Sequence, residues 1–291
     1  MEYEGAIYRP PSEAESLILQ ATVGCSHNRC IFCGSYKNKR FRIRSFDEIR
    51  HDIDEASSWG VEIRRVFLAD GDALFMPQKR LLEILFYLRD KLGELRRVGI
   101  YGNARSILHK TARDLTELRE AGLGIVYLGI ESGNRRVLEK IKKGATYEEM
   151  VAAGRRVKEA DISLSVTVLL GIGGTELSHQ HAMDTGRILG EIDPDFVGAL
   201  TLMVVPGTPL ERETASGAFE LPDPFALLEE LGIMIGNCEL SKCLFTSNHP
   251  SNYLPLKISM PGEREKALQT IQRVLTSRNR SLLRPESLRA L

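Results

Sequence analysis

Short runs of apolar and β-branched residues alternate along this chain with longer segments whose apolar positions recur every three or four residues. The runs at 16–22, 65–69, 97–101, 125–130, 162–170 and 196–205 carry too little polar alternation for a sheet with one wet face, and they read as buried parallel strands. Between them the helical period predicts helices over 45–59, 78–92, 111–121, 147–160 and 175–189. Ser45 with Glu48 three residues on is a capping-box signature, and the glycines of "AGLG" suit the end of the third helix. Strand–helix alternation at this spacing predicts an α/β fold of six βα units, a partial (β/α)6 TIM-like barrel, with a doubly wound open sheet as the competing arrangement.

The pattern changes near Pro222. Helices are predicted near 224–236 and 262–277, around the irregular stretch "NCELSKCLFTSNHPSNYLPLK". The expected organisation is an N-terminal extension over 1–15, a core over 16–210, and a mostly helical extension over 211–291 that covers the barrel.

Charge and composition narrow the classes. Lys plus Arg and Asp plus Glu both total 39, so no overall field steers the chain towards nucleic acid or anionic lipid. No segment approaches the ~20 apolar residues that span a bilayer, and "MEYEGAIYRPPSEAE" lacks a signal-peptide run. These features predict a cytoplasmic protein, in which clustered cysteines hold metal or do chemistry rather than form disulfides.

Three of the five cysteines, Cys25, Cys30 and Cys33, fall in "TVGCSHNRCIFCGSY", where the first predicted strand ends. The other strands end in "ADGDAL" with Asp70, Gly71 and Asp72, "YGNARS" with Asn103, "GIESGN" with Glu131 and Ser132, "LLGIGGTE" and "VVPGTPL". In a (β/α) barrel that rim is the working face. Three thiols admit zinc with His27 as fourth ligand, an electron carrier with a further cysteine, or a [4Fe–4S] cluster with one iron open to a small-molecule chelate. Cys238 and Cys243 stand far along the chain and read as structural thiols.

These motifs resemble the radical S-adenosylmethionine (SAM) superfamily. The family motif is Cys-x3-Cys-x2-Cys with an aromatic before the last cysteine; here the first gap is one residue longer and Phe32 is the aromatic. "LGIESGNRRVLEKIKKG" and "ALTLMVVPGTPL" look like the fourth-strand and sixth-strand segments of the subgroup related to Elongator protein 3, MiaB and NifB, so the likeness covers about 16–210.

The resemblance implies an enzyme in which Cys25, Cys30 and Cys33 hold a [4Fe–4S] cluster whose open iron chelates SAM. One-electron reduction then yields a 5′-deoxyadenosyl radical. It implies acceptors for the SAM ammonium in Ala69, Asp70, Gly71 and Asp72, and partners for ribose or the methionine end in Asn103, Glu131, Ser132 and Ser165. Gly171, Ile172 and Gly173, with Val205 and Pro206, are the expected adenine contacts. The expected partners are a small or medium organic substrate and a one-electron donor of flavodoxin or ferredoxin type. Arg42, from the basic run "KNKRFRIRS", and Asn248, His249 and Asn252 are candidate substrate contacts. A transfer-RNA-modifying enzyme is the alternative within the class, and a metal-stabilised scaffold the alternative outside it.

Overall fold

The computed structural model describes residues 1–290. The chain forms β1 (Leu17–Gln20), β2 (Thr22–Val23), β3 (Arg42–Ile43), α1 (Phe46–Ser57), β4 (Arg65–Ala69), α2 (Gln78–Lys91), β5 (Arg97–Tyr101), α3 (Ala104–His109), α4 (Ala112–Glu120) and β6 (Leu123–Glu131). There follow α5 (Arg135–Lys140), α6 (Tyr147–Glu159), β7 (Ser163–Leu170), α7 (Gly174–Ile192), β8 (Phe196–Thr201), α8 (Pro209–Ala215), α9 (Pro224–Asn237), β9 (Cys243–Thr246), β10 (Lys257–Met260) and α10 (Arg264–Ser277).

The strands hydrogen-bond in the order β1-β4-β5-β6-β7-β8-β9-β10, while β2 pairs separately with β3. The pairs β1–β4, β4–β5, β5–β6, β7–β8 and β8–β9 run parallel, and β9–β10 antiparallel. The order climbs without reversal, whereas a doubly wound sheet reverses at a switch point. This is the expected TIM-like α/β arrangement, with no sheet closed on itself among the described residues.

Three local departures have physical causes. The first predicted strand breaks at Ala21, whose amide bonds the Ala69 carbonyl at 2.6 Å before Thr22 and Val23 turn to pair with β3. The last predicted strand stops at Thr201, and the Val205 carbonyl then accepts from the Thr208 hydroxyl at 2.7 Å in a turn capping α8. Strand β9 forms inside the stretch read as irregular and β10 starts at its last residue, because four residues each are too few to show a period.

The chain divides into two compact units. The first comprises Met1–Asn28, Ser35–Leu128 and Ala153–Leu164. Its sheet face packs Phe67, Ala69, Ile125 and Tyr127 with Ile7, Ile18 and Tyr101, and the rings of Phe67, Tyr101 and Tyr127 meet edge to face. Beneath them Glu13 is fully buried, accepting from Arg97 at 2.5 Å and from the Tyr127 phenol and Ser16 hydroxyl. Burial and this carboxylate push the Tyr127 phenol up. Removing one partner of a buried ion pair leaves a charge uncompensated. Arg97→Ala is therefore expected to lower the urea-unfolding free energy by about 3 kcal/mol, while Arg97→Lys retains most of it.

The second unit comprises Arg29–Gly34, Gly129–Ala152 and the chain from Ser165 onward. In β7, Ser165 and Thr167 lie half-buried between the fully buried Val166 and Val168. Helix α7 crosses α9 closely, since a Cβ on Gly186 would lie 2.7 Å from the Met234 carbonyl oxygen.

Candidate active site

In the first unit, the loop that carries Cys25 is anchored as it leaves β2. The Gly24 amide donates to Asp70 Oδ2 at 3.0 Å, and the Gly24 carbonyl accepts from the Gly71 amide at 3.2 Å. Asp70 is buried and also accepts from Gln20 at 3.2 Å and Lys39 at 2.8 Å. Gly71 lies flat beneath Tyr36, where a Cβ would sit 2.5 Å from the ring. The open side of Gly71, one of the expected acceptors for the SAM ammonium, is thus taken up by a protein group, Tyr36.

Asp72 is fully buried, and its carboxylate takes hydrogen bonds from Ser26, Asn103 and Ser106. Oδ1 accepts from the Asn103 amide (3.1 Å) and the Ser106 hydroxyl (2.6 Å), and Oδ2 from Asn103 Nδ2 (2.7 Å) and the Ser26 hydroxyl. Asn103 caps α3, its Oδ1 accepting from the Ser106 amide at 2.9 Å. Asp72 therefore ties the loop after β4 to the start of α3 and to Ser26, next to Cys25. Ser26 and Ser106 were not singled out from sequence, where isolated serines carry no signal.

In the second unit, the Ile31 amide donates to the Ile141 carbonyl at 3.0 Å and the Ile31 carbonyl accepts from Leu210 at 3.1 Å. Gly34 lies against Val205, where a Cβ would meet Cγ1 at 2.6 Å, and Phe32 is half-buried between these anchors. Pro206 is exposed.

Cys25, Cys30 and Cys33 are each half-buried, and none of the five cysteines is in a disulfide. Burial pushes the Cys238 thiol up to about 11 and Cys243 to about 12, which suits structural thiols. The donor set fits a three-thiolate cluster by its chemistry: three accessible thiols within nine residues, on the loop leaving β2. Among the described residues no three His, Cys, Asp or Glu side chains are gathered as metal ligands, so the fit rests on donor chemistry alone.

Glu131 ends β6 with φ at 63°, a left-handed conformation that costs a side-chain-bearing residue free energy and that clusters at functional sites. Its carboxylate folds back over Gly129, where a Cβ would lie 2.3 Å from Oε1, and pairs with Lys143 at 2.8 Å. Ser132 faces the other way: its hydroxyl bonds His181 Nδ1 at 2.8 Å, and the Thr185 hydroxyl bonds the same nitrogen at 3.2 Å. His181 Nε2 lies 3.1 Å from the Leu169 carbonyl, which fixes the proton there. Complete burial pushes this imidazole down to about 4, so it is neutral at pH 7. Gly133 completes the contact, with its amide on Thr185 at 2.9 Å and room for no Cβ beside the Asp184 carbonyl.

The 171–174 loop follows β7. Gly171 has φ of 82°, and a Cβ there would strike Leu227 at 2.7 Å. Its amide donates to Glu230 at 2.6 Å. Ile172 and Gly173 are buried beside it, Gly173 as the N-cap of α7. Desolvation raises the Glu230 carboxyl from 4.5 to about 7. The folded chain then holds a proton that the unfolded chain has lost between pH 4.5 and 7, so this contribution is complete below 4.5 and lost as pH rises through 7. Glu230→Gln is accordingly expected to stabilise the chain at pH 8 by about 3 kcal/mol and to leave stability at pH 4 nearly unchanged, read by thermal melts. Glu230 shares its helix face with Leu227, Leu231 and Met234, so a carboxylate in an apolar stripe was the legible signal.

The candidate substrate residues separate. Arg42 pairs with Glu48 at 3.0 Å and with Glu4. Asn252 is buried, bridging the Ala199 carbonyl and Thr201 hydroxyl, each at 2.8 Å. Asn248 is exposed. His249 is half-buried, with Nδ1 on Ser251 Oγ at 2.9 Å; burial and Arg284 push its pKa down.

Three thiols follow β2, Glu131 ends β6 and the 171–174 loop follows β7. Residues 19–185 match the model of the radical SAM superfamily, more than half of the chain, and the chain belongs to that superfamily. It is an enzyme of the kind that uses SAM and a [4Fe–4S] cluster.

Among its relatives, 3-methylornithine synthase of Methanosarcina acetivorans is 24% identical over 189 residues, covering 64% of this chain and 51% of that one. A crystal structure of methylornithine synthase superposes with a TM-score of 0.54 at 20% identity, over 77% and 63% of the two chains. A protein described as a probable threonylcarbamoyladenosine tRNA methylthiotransferase in Archaeoglobus fulgidus is 27% identical over 207 residues, 67% of this chain and 47% of that one. The radical SAM methyltransferase TsrM of Kitasatospora setae, solved with cobalamin and a [4Fe–4S] cluster bound, superposes at 0.56 and 21% identity, over 69% and 39%. The chain spans about half the length of these curated relatives. No helix among the described residues is long and apolar enough to cross a membrane.

Proposed function

We propose that this enzyme acts by radical SAM chemistry on a small or medium organic molecule, and that Cys25, Cys30 and Cys33 hold the cluster. When bound, the cluster and SAM supply one-electron cleavage of a carbon–sulfur bond; the protein supplies position and exclusion of water. The anchoring of the loops within each unit supports this reading. Asp72 and Asp70 fix the first and second loops, so that the backbone carbonyls of Ala69, Asp70 and Gly71 serve the SAM ammonium. Glu131, steadied by Lys143, accepts from ribose or the methionine end, and Asn103 and Ser165 are further partners for the same ligand. Ser132 braces that strand end through His181. Gly171, Ile172 and Gly173, with Val205 and Pro206, present backbone and apolar surface to adenine.

The small-molecule reading draws on the balanced charge and on the likeness to 3-methylornithine synthase. A cytoplasmic setting and a flavodoxin- or ferredoxin-type donor belong to the same reading. The Archaeoglobus relative favours a second one, action on transfer RNA. Binding of transfer RNA across a salt series separates the two, because phosphate contacts weaken steeply as salt rises. Salt-insensitive, negligible binding supports the small molecule; tight binding that falls with salt replaces it with RNA.

A further inference from the structure

We infer that Glu230 is a positioning residue: through the Gly171 amide its carboxylate fixes the backbone of the 171–174 loop, and so sets how tightly that loop holds its ligand. This rests on the reading above that the loop contacts SAM. The geometry is specific. Oε2 takes the Gly171 amide at 2.6 Å, short for a neutral pair and suited to a charge-assisted bond. Ser178 bonds the same carboxyl. Oε1 is buried and finds no hydrogen-bond partner among the described residues. Gly171, at φ of 82° and wedged against Leu227 and Leu221, has one stable backbone path, and the Glu230 bond pins it.

Among the described residues no charged cation acts on this carboxylate. His181, from α7, places Nε2 3.9 Å from Oε2, but that nitrogen's hydrogen bond goes to Leu169 and the ring is neutral. Asp184, one turn further along α7, is itself acidic and acts on His181. From α10, Arg264 reaches the Gly236 carbonyl and Arg278 lies over Phe225, so these engage the two ends of α9 rather than Glu230. An uncompensated buried carboxylate is costly as structure alone, and glutamine would serve a purely structural bond equally well. The carboxyl ionises near pH 7. Only the ionised form gives the charge-assisted bond, so loop order and ligand affinity rise together as pH increases through that range.

The test uses the full chain with its cluster reconstituted anaerobically and SAM itself as probe. Calorimetric Kd is measured from about pH 6 to about pH 8 for wild type, Glu230→Gln and Glu230→Leu. With SAM binding lowering the Glu230 pKa by about one unit, wild-type affinity tightens about fivefold across the window. Glu230→Gln lacks this increment and keeps only the slope that the α-amino group of SAM contributes to both proteins, and Glu230→Leu binds about tenfold more weakly than Glu230→Gln at every pH. Amide hydrogen exchange of the segment 170–174, corrected for the intrinsic pH dependence, gives the second readout. Its protection rises with pH in wild type and not in Glu230→Gln. A wild-type Kd without pH dependence, or the same slope in Glu230→Gln, overturns the inference. Absence of SAM binding at every pH overturns the proposed function instead, and the exchange comparison then still decides whether Glu230 governs the loop.

Discussion

Alanine in place of Cys25, Cys30 or Cys33 is expected to abolish iron–sulfur loading and release of 5′-deoxyadenosine, with the circular dichroism of the chain unchanged. The asymmetry follows from location. Each thiol is half-buried, and other groups hold the backbone around them: Gly24, just before Cys25, bonds Asp70 and Gly71, and Ile31, between Cys30 and Cys33, bonds Ile141 and Leu210. None of the three contributes a large buried side chain to the core. On the proposed ligand set, losing one thiolate removes a cluster ligand, and Cys238 and Cys243, buried with thiols pushed up to about 11 and about 12, are poor replacements. By contrast, Cys238→Ser and Cys243→Ser are expected to retain cleavage and to lower stability modestly. Loss of cleavage in those variants would mean that the ligand set has been assigned to the wrong thiols.

Asp72→Ala is expected to be the most damaging single change outside the cysteines. It strands the donors of Ser26, Asn103 and Ser106 around a buried hole, at a cost of about 4 kcal/mol by urea unfolding if two or more go unsatisfied. Because Ser26 adjoins Cys25, SAM affinity should fall by about a hundredfold in whatever fraction remains folded. Asp72→Asn separates the two effects. It keeps the volume and replaces an acceptor by a donor facing donors, so most of the affinity loss remains with less unfolding. Wild-type affinity in Asp72→Asn would remove Asp72 from any role in positioning the site.

How far the sequence reveals this site depends on the range of the interactions. The cysteine spacing, the strand ends and the capping box at Ser45 are local patterns, and Ser45 caps α1 as its neighbour Glu48 predicts. Six buried runs at regular spacing were enough to order the main strands. The partners of the polar residues were not legible. Gly71 reads as a place for a ligand, yet Tyr36 lies against it from 35 residues away. Arg42 reads as a substrate contact within a basic run, yet it is paired with Glu4 near the start of the chain. Asn252 reads as a loop side chain, yet it bridges the end of β8. Each is a long-range pairing that composition and period do not encode. Glu131 shows the limit most clearly: its place at a strand end is visible, while its left-handed φ and the Gly129 that makes room for its carboxylate emerge only in the fold.

The most direct measurement is made on anaerobically reconstituted protein, with iron counted per chain and the reduced cluster's electron paramagnetic resonance recorded before and after addition of SAM. The account predicts about four irons per chain, a [4Fe–4S] signal that shifts when SAM is added, and 5′-deoxyadenosine once reductant is present. Protein that binds one zinc in place of iron, or a cluster whose signal ignores SAM, would contradict it.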